Sequence, residues 1–168
     1  DTTLNSRQTE YLDSISVSAN DLLGIINDIL DFSKIEEGRV EVDNHDFDLD
    51  KLFDQIANIF DVNNVDNNLE IIFDVDKNVP QNLLGDGERL KQVLINLMTN
   101  AVKFTDVGNV ILQVKVEKAS EQEVVINFRV SDSGIGLTEE QLGGLFQPFM
   151  QADESTTRKY GGTGLGLS

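Results

Sequence analysis

The chain has 168 residues, of which 39% are hydrophobic, so it can form one well-buried domain with an appendage. It contains no cysteine, which excludes disulfides and thiolate metal sites. Its 30 acidic residues outnumber 13 basic ones and give a net charge of −17, which argues against a nucleic-acid partner. No apolar run approaches the roughly 20 residues of a membrane-spanning helix. We therefore expect a cytoplasmic chain without membrane contact of its own.

The first segment, residues 6 to 37, is predicted to be one long helix because it has no proline and a single glycine. Mostly apolar side chains recur at spacings of three and four: Leu12, Ile15, Ala19, Leu22, Ile26, Ile29 and Ser33. This heptad pattern is typical of a coiled coil or four-helix bundle, so the helix needs neighbours from another copy or from residues outside this chain. The alternative is that it packs on its own globular domain. Gly38 has the position of a C-cap glycine, and we place a domain boundary between residues 1–38 and 39–168.

The middle of the chain alternates predicted strands and helices, which is typical of an α/β fold. Periodicity predicts a strand region at 40–49, a helix at 49–62, a strand at 69–75, a helix from Asp86 to about Phe104, and strands at 110–116 and 124–130. The last two strands flank a polar turn and should form an antiparallel hairpin. We predict a two-layer α/β sandwich, with a mixed sheet and helices on one face, preceded by the long N-terminal helix.

The only histidine, His45, is predicted to lie in a polar connector between the first helix and the sheet. A phosphoacceptor or metal-ligand role is conceivable for an imidazole. No helical or metal-ligand spacing surrounds it, so we interpret it as an exposed connector residue.

The helix that ends near Phe104 carries two stripes of different chemistry. At 100° per residue, Asn96, Asn100 and Lys103 share one narrow face. The apolar residues that we predict to be buried form a second stripe, roughly a quarter turn away: Leu90, Leu94, Leu97, Ala101 and Phe104. Amide oxygens are suitable ligands for Mg²⁺ and a lysine supplies a point charge, so the polar stripe suits a metal-bound polyphosphate. The alternative is an ordinary amphipathic helix with a solvated face.

Two glycine motifs follow the last predicted strand. Asp132 ends that strand, where its carboxylate can accept a hydrogen bond from a ligand amine while Gly134 and Gly136 allow close backbone approach. Next come a Phe-Gln-Pro-Phe segment ending at Phe149 and the basic pair Arg158 and Lys159. A second glycine loop opens a further helix, an arrangement that holds phosphates: Gly162, Thr163, Gly164, Leu165 and Gly166. Each motif alone could be a simple turn, but their order favours a nucleotide site.

In this order, the motifs resemble the catalytic, ATP-binding part of a sensor histidine kinase of the hybrid type, whose fold is shared with gyrase and heat-shock-chaperone ATPases. Residues 96–105 resemble the N box of that family, 132–136 its first glycine box, 146–149 its F box and 162–167 its second glycine box. Residues 22–36 are similar to the second helix of its dimerisation hairpin. The resemblance covers essentially the whole chain.

The resemblance implies ATP and Mg²⁺ as cofactors and gives each motif residue a role. Asn96 and Lys103 would be catalytic, with Asn96 beside the metal and the γ-phosphate and Lys103 in contact with the phosphates. Asn100 would ligate Mg²⁺. Asp132 would recognise the adenine amine. The remaining cofactor-binding positions surround the nucleoside, or belong to the lid and the phosphate loop: Phe104, Gly134, Gly136, Phe149, Arg158, Lys159, Gly162, Thr163, Gly164, Leu165 and Gly166.

The implied activity is transfer of the ATP γ-phosphoryl group to a histidine that this chain does not contain, because no H-box motif occurs in it. The implied partners are a second copy in the intact parent, the H-box histidine of the hairpin and a response-regulator receiver domain. The resemblance also implies a final strand and most of a helix beyond Ser168, and it leaves open an inner-membrane anchor in the parent. Two alternatives remain: a non-catalytic nucleotide-binding or dimerisation module, and a gyrase-type or chaperone-type ATPase, which would want a carboxylate at the position of Asn96.

Overall fold

The computed structural model describes residues 4–39, 42–63 and 68–144. Its helices and strands are α1 (Ser6–Glu36), β1 (His45–Asp48), α2 (Leu49–Asn63), β2 (Leu69–Val75), β3 (Asn82–Gly85), α3 (Gly87–Lys103), β4 (Gly108–Ala119), β5 (Val124–Asp132) and α4 (Glu139–Gly144). The residues of α1 belong to one compact unit, and Val42–Gly143 form the other. Within the described ranges, no helix combines the length and the hydropathy that crossing a lipid bilayer requires.

Both ends of α1 are capped by short-range hydrogen bonds that the sequence encodes. The side chain of Asn5 accepts from the Gln8 amide, and the Gln8 side chain accepts from the Asn5 amide, each at 2.9 Å. This reciprocal pair is a capping box. At the other end, Gly38 has a φ of 64°, and the Arg39 amide donates to the Lys34 carbonyl at 2.9 Å. A left-handed glycine with this bond is a Schellman ending, so the predicted C-cap glycine is confirmed.

The heptad positions of α1 are solvent-exposed within the single chain. The large apolar side chains at these positions whose burial is described are between 44% and 63% exposed: Leu12, Ile15, Leu22, Ile26 and Ile29. An apolar stripe of this length on a soluble helix normally packs against another helix. The pairing of α1 with such helices stays a prediction.

The described strands form two sheets rather than the single sheet that the sequence predicted. In the three-stranded sheet, β4 lies between β2, to which it is parallel, and β5, to which it is antiparallel. The predicted hairpin is therefore confirmed, and so is the mixed character of the sheet. The second sheet pairs β1 with β3 in antiparallel fashion, and β3 was not predicted.

The region around His45 also differs from its prediction. His45 is the first residue of β1, opposite Gly85, and so lies in a strand rather than in a connector. Leu49 was predicted both to end this strand region and to begin the next helix, and it is the first residue of α2, which confirms the predicted helix start. The imidazole is exposed, as expected, and its Nε2 lies 2.9 Å from a carboxylate oxygen of Asp43.

The hydrophobic core lies between α2, α3 and one face of the three-stranded sheet. Its buried members alternate along β4 and recur at helical spacing along α2 and α3: Leu49, Leu52, Phe53, Ile56, Phe60, Leu94, Met98, Leu112 and Val114. Residues 110, 112 and 114 point to the same side of β4 because side chains alternate along a strand. The coarse α/β assignment is therefore confirmed.

The buried stripe of α3 is rotated relative to the prediction. The buried residues of α3 are Leu94, Met98 and Ala101. Leu97 and Phe104, which were predicted to be buried, are only half-buried, as is Leu90. Neighbouring residues on a helix are 100° apart. Because Met98, and not Leu97, lies in the buried stripe, the core-facing side of α3 is rotated by several tens of degrees from its predicted direction. The polar stripe then lies nearly opposite the core rather than a quarter turn from it.

Candidate functional site

The helix α3 begins at a strongly hydrogen-bonded carboxylate. Asp86 is its N-cap, and one carboxylate oxygen accepts from the Arg89 amide at 3.0 Å, while the other accepts from the Asp43 amide and from Arg89 Nε, each at 3.1 Å. Hydrogen bonds to the ionised form favour it. They lower the pKa of Asp86 below its ordinary value of 3.8, with the Arg89 amide as the largest cause and the Asp43 amide next. The predicted N-cap is thus confirmed.

This pKa predicts how the stability of the domain depends on acid. Because the pKa is lower in the folded state, Asp86 stabilises the fold fully above about pH 3.8, and this contribution is lost as the pH falls through the folded-state pKa. Asp86→Asn keeps an oxygen for the Arg89 amide but loses the second acceptor and the charge. We expect a lower unfolding midpoint than wild type at pH 6, with the difference shrinking toward pH 3.

Thermal unfolding followed by circular dichroism at pH 3 to 7 measures this effect. Asp54→Asn, an exposed carboxylate on α2, serves as the control and should follow the wild-type curve. A difference between Asp86→Asn and wild type that stays constant down to pH 3 would contradict the predicted linkage.

The polar stripe of α3 is partly shielded although it faces away from the core. Asn96, Asn100 and Lys103 are all half-buried. Among the hydrogen bonds within the described ranges, none involves the side chain of either asparagine. Burial lowers the pKa of Lys103, whose Nζ lies 5.2 Å from the centre of the Phe104 ring. A nearby phosphate would offset this desolvation by favouring the charged amine.

The C-terminus of α3 is held directly against the first glycine turn. The Ile135 amide donates to the Phe104 carbonyl at 3.2 Å. A Cβ on Gly134 would lie only 2.2 Å from that carbonyl oxygen and 2.8 Å from Thr105 Oγ1, so this contact requires glycine. The structure therefore brings together the two sequence segments that we predicted to bind opposite ends of a nucleotide.

A second connection fixes the same turn to the beginning of β4. Ser133 exchanges hydrogen bonds with the backbone of Asn109, which donates to Ser133 Oγ at 2.9 Å and accepts from the Ser133 amide at 3.1 Å. Gly108 has a φ of 130°, and a Cβ there would clash with Ser133 Oγ, so both backbone conformation and space favour glycine. The glycine turn is thereby anchored on both sides.

Asp132 lies at the end of β5, opposite Val110, with an exposed side chain. One of its carboxylate oxygens accepts from the Gly134 amide at 3.0 Å, which closes a tight turn. The second oxygen has no partner among the described residues. Gly136 has a φ of 66°, and a Cβ there would meet nothing within 4 Å, so backbone conformation, not space, favours glycine at this position.

Several predicted site residues lie outside the described ranges. They are the F-box residue and the members of the lid and second glycine box: Phe149, Arg158, Lys159, Gly162, Thr163, Gly164, Leu165 and Gly166. In residues 4–39, 42–63 and 68–144, no group of three or more His, Cys, Asp or Glu side chains could hold a metal ion. Among the described residues, the amide oxygens of α3 are the candidate protein ligands for a metal at this site.

One residue of the site was missed by the sequence analysis. Thr105 is 3% exposed, and its hydroxyl donates to the Ala101 carbonyl at 2.8 Å. The sequence placed it within a motif but gave it no role. The signal that could have found it is a hydroxyl residue just past the last helical residue, where unpaired carbonyls need donors.

Comparison with protein families assigns both parts of the chain. Residues 85–168 match the family described as histidine kinase-, DNA gyrase B-, and HSP90-like ATPase. Residues 1–38 match the His Kinase A (phospho-acceptor) domain. The described geometry of α3 and the glycine turn lies within the first match.

Curated relatives are similar over nearly the whole chain. Hybrid signal transduction histidine kinase B of Dictyostelium discoideum is 46% identical over 167 residues, which are 99% of this chain and 8% of that relative. Signal transduction histidine-protein kinase BarA of Escherichia coli K12 is 42% identical over 166 residues, which are 99% of this chain and 18% of BarA. The chain therefore spans less than a fifth of the length of either relative.

A solved structure is also similar over the whole chain. It is full-length ShkA in complex with AMPPNP, which is 31% identical, has a TM-score of 0.75 and is matched over 99% of this chain and 33% of its own. The histidine kinase AdeS of Acinetobacter baumannii has a TM-score of 0.68 at 20% identity, which supports the fold alone.

Proposed function

Because the chain belongs to the histidine kinase-, DNA gyrase B-, and HSP90-like ATPases, we propose that it is the catalytic part of a two-component sensor histidine kinase. It binds Mg-ATP and transfers the γ-phosphoryl group to a histidine that is not in this chain. The single observation that carries this proposal is the hydrogen bond from Ile135 to the Phe104 carbonyl. It joins the helix that bears phosphate-binding residue types to the turn that bears Asp132.

The proposed roles follow from the chemistry of each side chain. The open carboxylate oxygen of Asp132 accepts a hydrogen bond from the adenine amine, while Gly136 leaves room for the ring. Asn100 provides an amide oxygen to Mg²⁺, and Asn96 lies beside the metal and the γ-phosphate. Lys103 contacts the phosphates as a point charge.

The remaining cofactor-binding residues are proposals on the family pattern. Phe104 lines the nucleoside pocket next to Gly134. The others close over the phosphates: Phe149, Arg158, Lys159, Gly162, Thr163, Gly164, Leu165 and Gly166. A glycine-rich loop that opens a helix supplies bare backbone amides for this purpose.

Phosphoryl transfer needs little covalent chemistry from the protein, because its transition state is stabilised mainly by positioning and charge. Mg²⁺, when bound, neutralises charge on the phosphate oxygens. Lys103 adds positive charge from the last turn of α3, where partial burial lowers its pKa and a bound phosphate would favour the charged amine. Asn96 and Lys103 are therefore the proposed catalytic residues.

The proposed partners follow from the exposed apolar stripe of α1. We assign residues 1–38 to the second helix of a dimerisation hairpin and residues 39–168 to a catalytic domain of two-layer α/β sandwich type. In the intact parent, two copies form a four-helix bundle. In each copy, α1 is the second helix of the hairpin, and the first helix carries the acceptor histidine. A response-regulator receiver domain is the next phosphoryl acceptor, and the parent acts in the cytoplasm.

Two measurements test the proposal. Isothermal titration of the folded chain should show Mg-ATP binding that disappears when EDTA removes Mg²⁺ or when GTP replaces ATP, since the Asp132 carboxylate repels the carbonyl of guanine. Labelled ATP should then phosphorylate a separately supplied two-helix hairpin that contains an acceptor histidine. Absence of Mg-ATP binding would refute the proposal.

The second measurement also separates the alternatives. Binding without phosphorylation of the hairpin would identify a nucleotide-binding module instead of a kinase. Hydrolysis of ATP without any acceptor would favour an ATPase, although Asn96 offers no carboxylate for activating water.

A further inference from the structure

We propose that Thr105 is a positioning residue, which fixes the end of α3 that bears Lys103 relative to the turn that bears Asp132. This inference rests on the proposed function, since it concerns the placement of two groups that contact opposite ends of ATP. Thr105 is the one buried polar residue among those whose burial the structure describes. A buried hydroxyl is retained only when it is hydrogen-bonded, so its partners indicate what it does.

The hydroxyl of Thr105 completes the last turn of α3. The Phe104 amide donates to the Asn100 carbonyl at 3.1 Å, and the Thr105 amide donates to Val102 at 3.3 Å. Because the spacing changes from four residues to three, neither of these two backbone amides donates to the Ala101 carbonyl. It receives the Thr105 hydroxyl instead, at 2.8 Å. The side chain therefore takes the place of a backbone donor where the helix tightens and ends.

Thr105 also lies where three chain segments meet. Its Oγ1 would be 2.8 Å from a Cβ on Gly134, and its methyl group would be 3.9 Å from a Cβ on Gly108. The adjacent Phe104 carbonyl accepts from the Ile135 amide. Thr105 thus lies at the end of α3, near the first residue of β4 and beside the glycine turn after β5.

The consequence for binding depends on which part of the nucleotide is present. Lys103 lies two residues before Thr105, and Asp132 lies two residues before Gly134. Adenosine needs only the Asp132 side of the site, whereas ATP needs both sides at their correct separation. Loss of the Thr105 hydroxyl should therefore weaken ATP binding more than adenosine binding.

The test uses Thr105→Val, which keeps the shape of the side chain and removes the hydroxyl. We expect the dissociation constant of Mg-ATP, measured by isothermal titration, to rise about tenfold, because small misplacements of binding groups are costly. The dissociation constant of adenosine should rise less than about threefold under the same argument. Thr105→Ser restores the hydroxyl and should restore Mg-ATP binding.

Two further variants make the test decisive. Thr9→Val is the matched control, because its hydroxyl donates to the Asn5 carbonyl at 3.3 Å on the exposed surface of α1, and this variant should bind like wild type. If Thr105→Val does not fold, Thr105→Ala leaves room for a water on the Ala101 carbonyl and should show the same loss of preference for ATP over adenosine.

Equal weakening of both ligands, or unchanged Mg-ATP binding by a folded Thr105→Val variant, would overturn the positioning role. In those cases wild type still binds Mg-ATP, so the proposed function stands and only this inference fails. If wild type itself binds neither ligand, the proposed function fails and the positioning role fails with it.

Discussion

Asp132→Asn is expected to weaken Mg-ATP binding by about 100-fold, or about 2.7 kcal/mol, while the chain stays folded. The asparagine oxygen can still accept from the Gly134 amide, which at present bonds one carboxylate oxygen at 3.0 Å. The other carboxylate oxygen becomes an amide nitrogen, a donor that faces the adenine amine, which is also a donor. A site built to pair with a polar group discriminates strongly when that pairing fails. The substitution therefore weakens nucleotide binding and leaves the hydrogen bond of the turn in place.

Isothermal titration with Mg-ATP and a thermal melt together measure this result. Asp54→Asn removes an exposed carboxylate elsewhere in the same compact unit and is the matched control for charge. It should leave binding and melting unchanged. Binding by Asp132→Asn within threefold of wild type would show that the carboxylate does not recognise the base.

Gly134→Ala is expected to damage stability and binding together. The added Cβ would lie 2.2 Å from the Phe104 oxygen and 2.9 Å from its carbonyl carbon, so backbone must move on one side of the contact. Overpacking of this kind costs about 2–3 kcal/mol of unfolding free energy. The displaced turn also loses the Ile135 bond to Phe104, so Mg-ATP affinity should fall by more than about tenfold in the protein that remains folded.

Urea unfolding gives the change in stability, and titration of the folded protein below its unfolding midpoint gives the change in affinity. Gly85→Ala is the matched control, because its Cβ would lie 3.5 Å from a carbon of Phe47, an ordinary van der Waals distance. It should change neither quantity by more than a small amount. Wild-type affinity in a folded Gly134→Ala variant would mean that the helix end and the glycine turn need not touch for nucleotide binding.

The parts of the fold that could be predicted from sequence are those set by local interactions. Asp86 and Phe104 bracket α3 as predicted, because a cap acts within one turn of the helix. The β4–β5 hairpin was predicted for the same reason, since alternation and a polar turn are local signals. The polar face of α3 follows from helical spacing alone.

The parts that could not be predicted depend on contacts between distant segments. β3 is four residues long and is defined by its pairing with β1. No local sequence pattern predicts this pairing. Leu97 and Met98 are adjacent and both apolar, so only the packing against α2 and the sheet decides which one is buried. The closeness of Gly134 to the end of α3 arises only when β5 returns beside β4. The roles of Phe149 and of the residues from Arg158 to Gly166 stay predictions.

The parallel pairing of β2 with β4 has a consequence for how the chain folds. Leu69 lies opposite Gly108, and the whole of β3 and α3 lies in the connection between them. Closing so long a loop is slow in comparison with forming the local β4–β5 hairpin. The hairpin brings the turn after β5 beside the end of α3, where the Ile135 amide donates to the Phe104 carbonyl, so Asp132 and the asparagines of α3 can meet before β2 pairs with β4. Nucleotide present during refolding can therefore bind before the crossover closes, and it increases the population of the nucleotide-bound species by mass action.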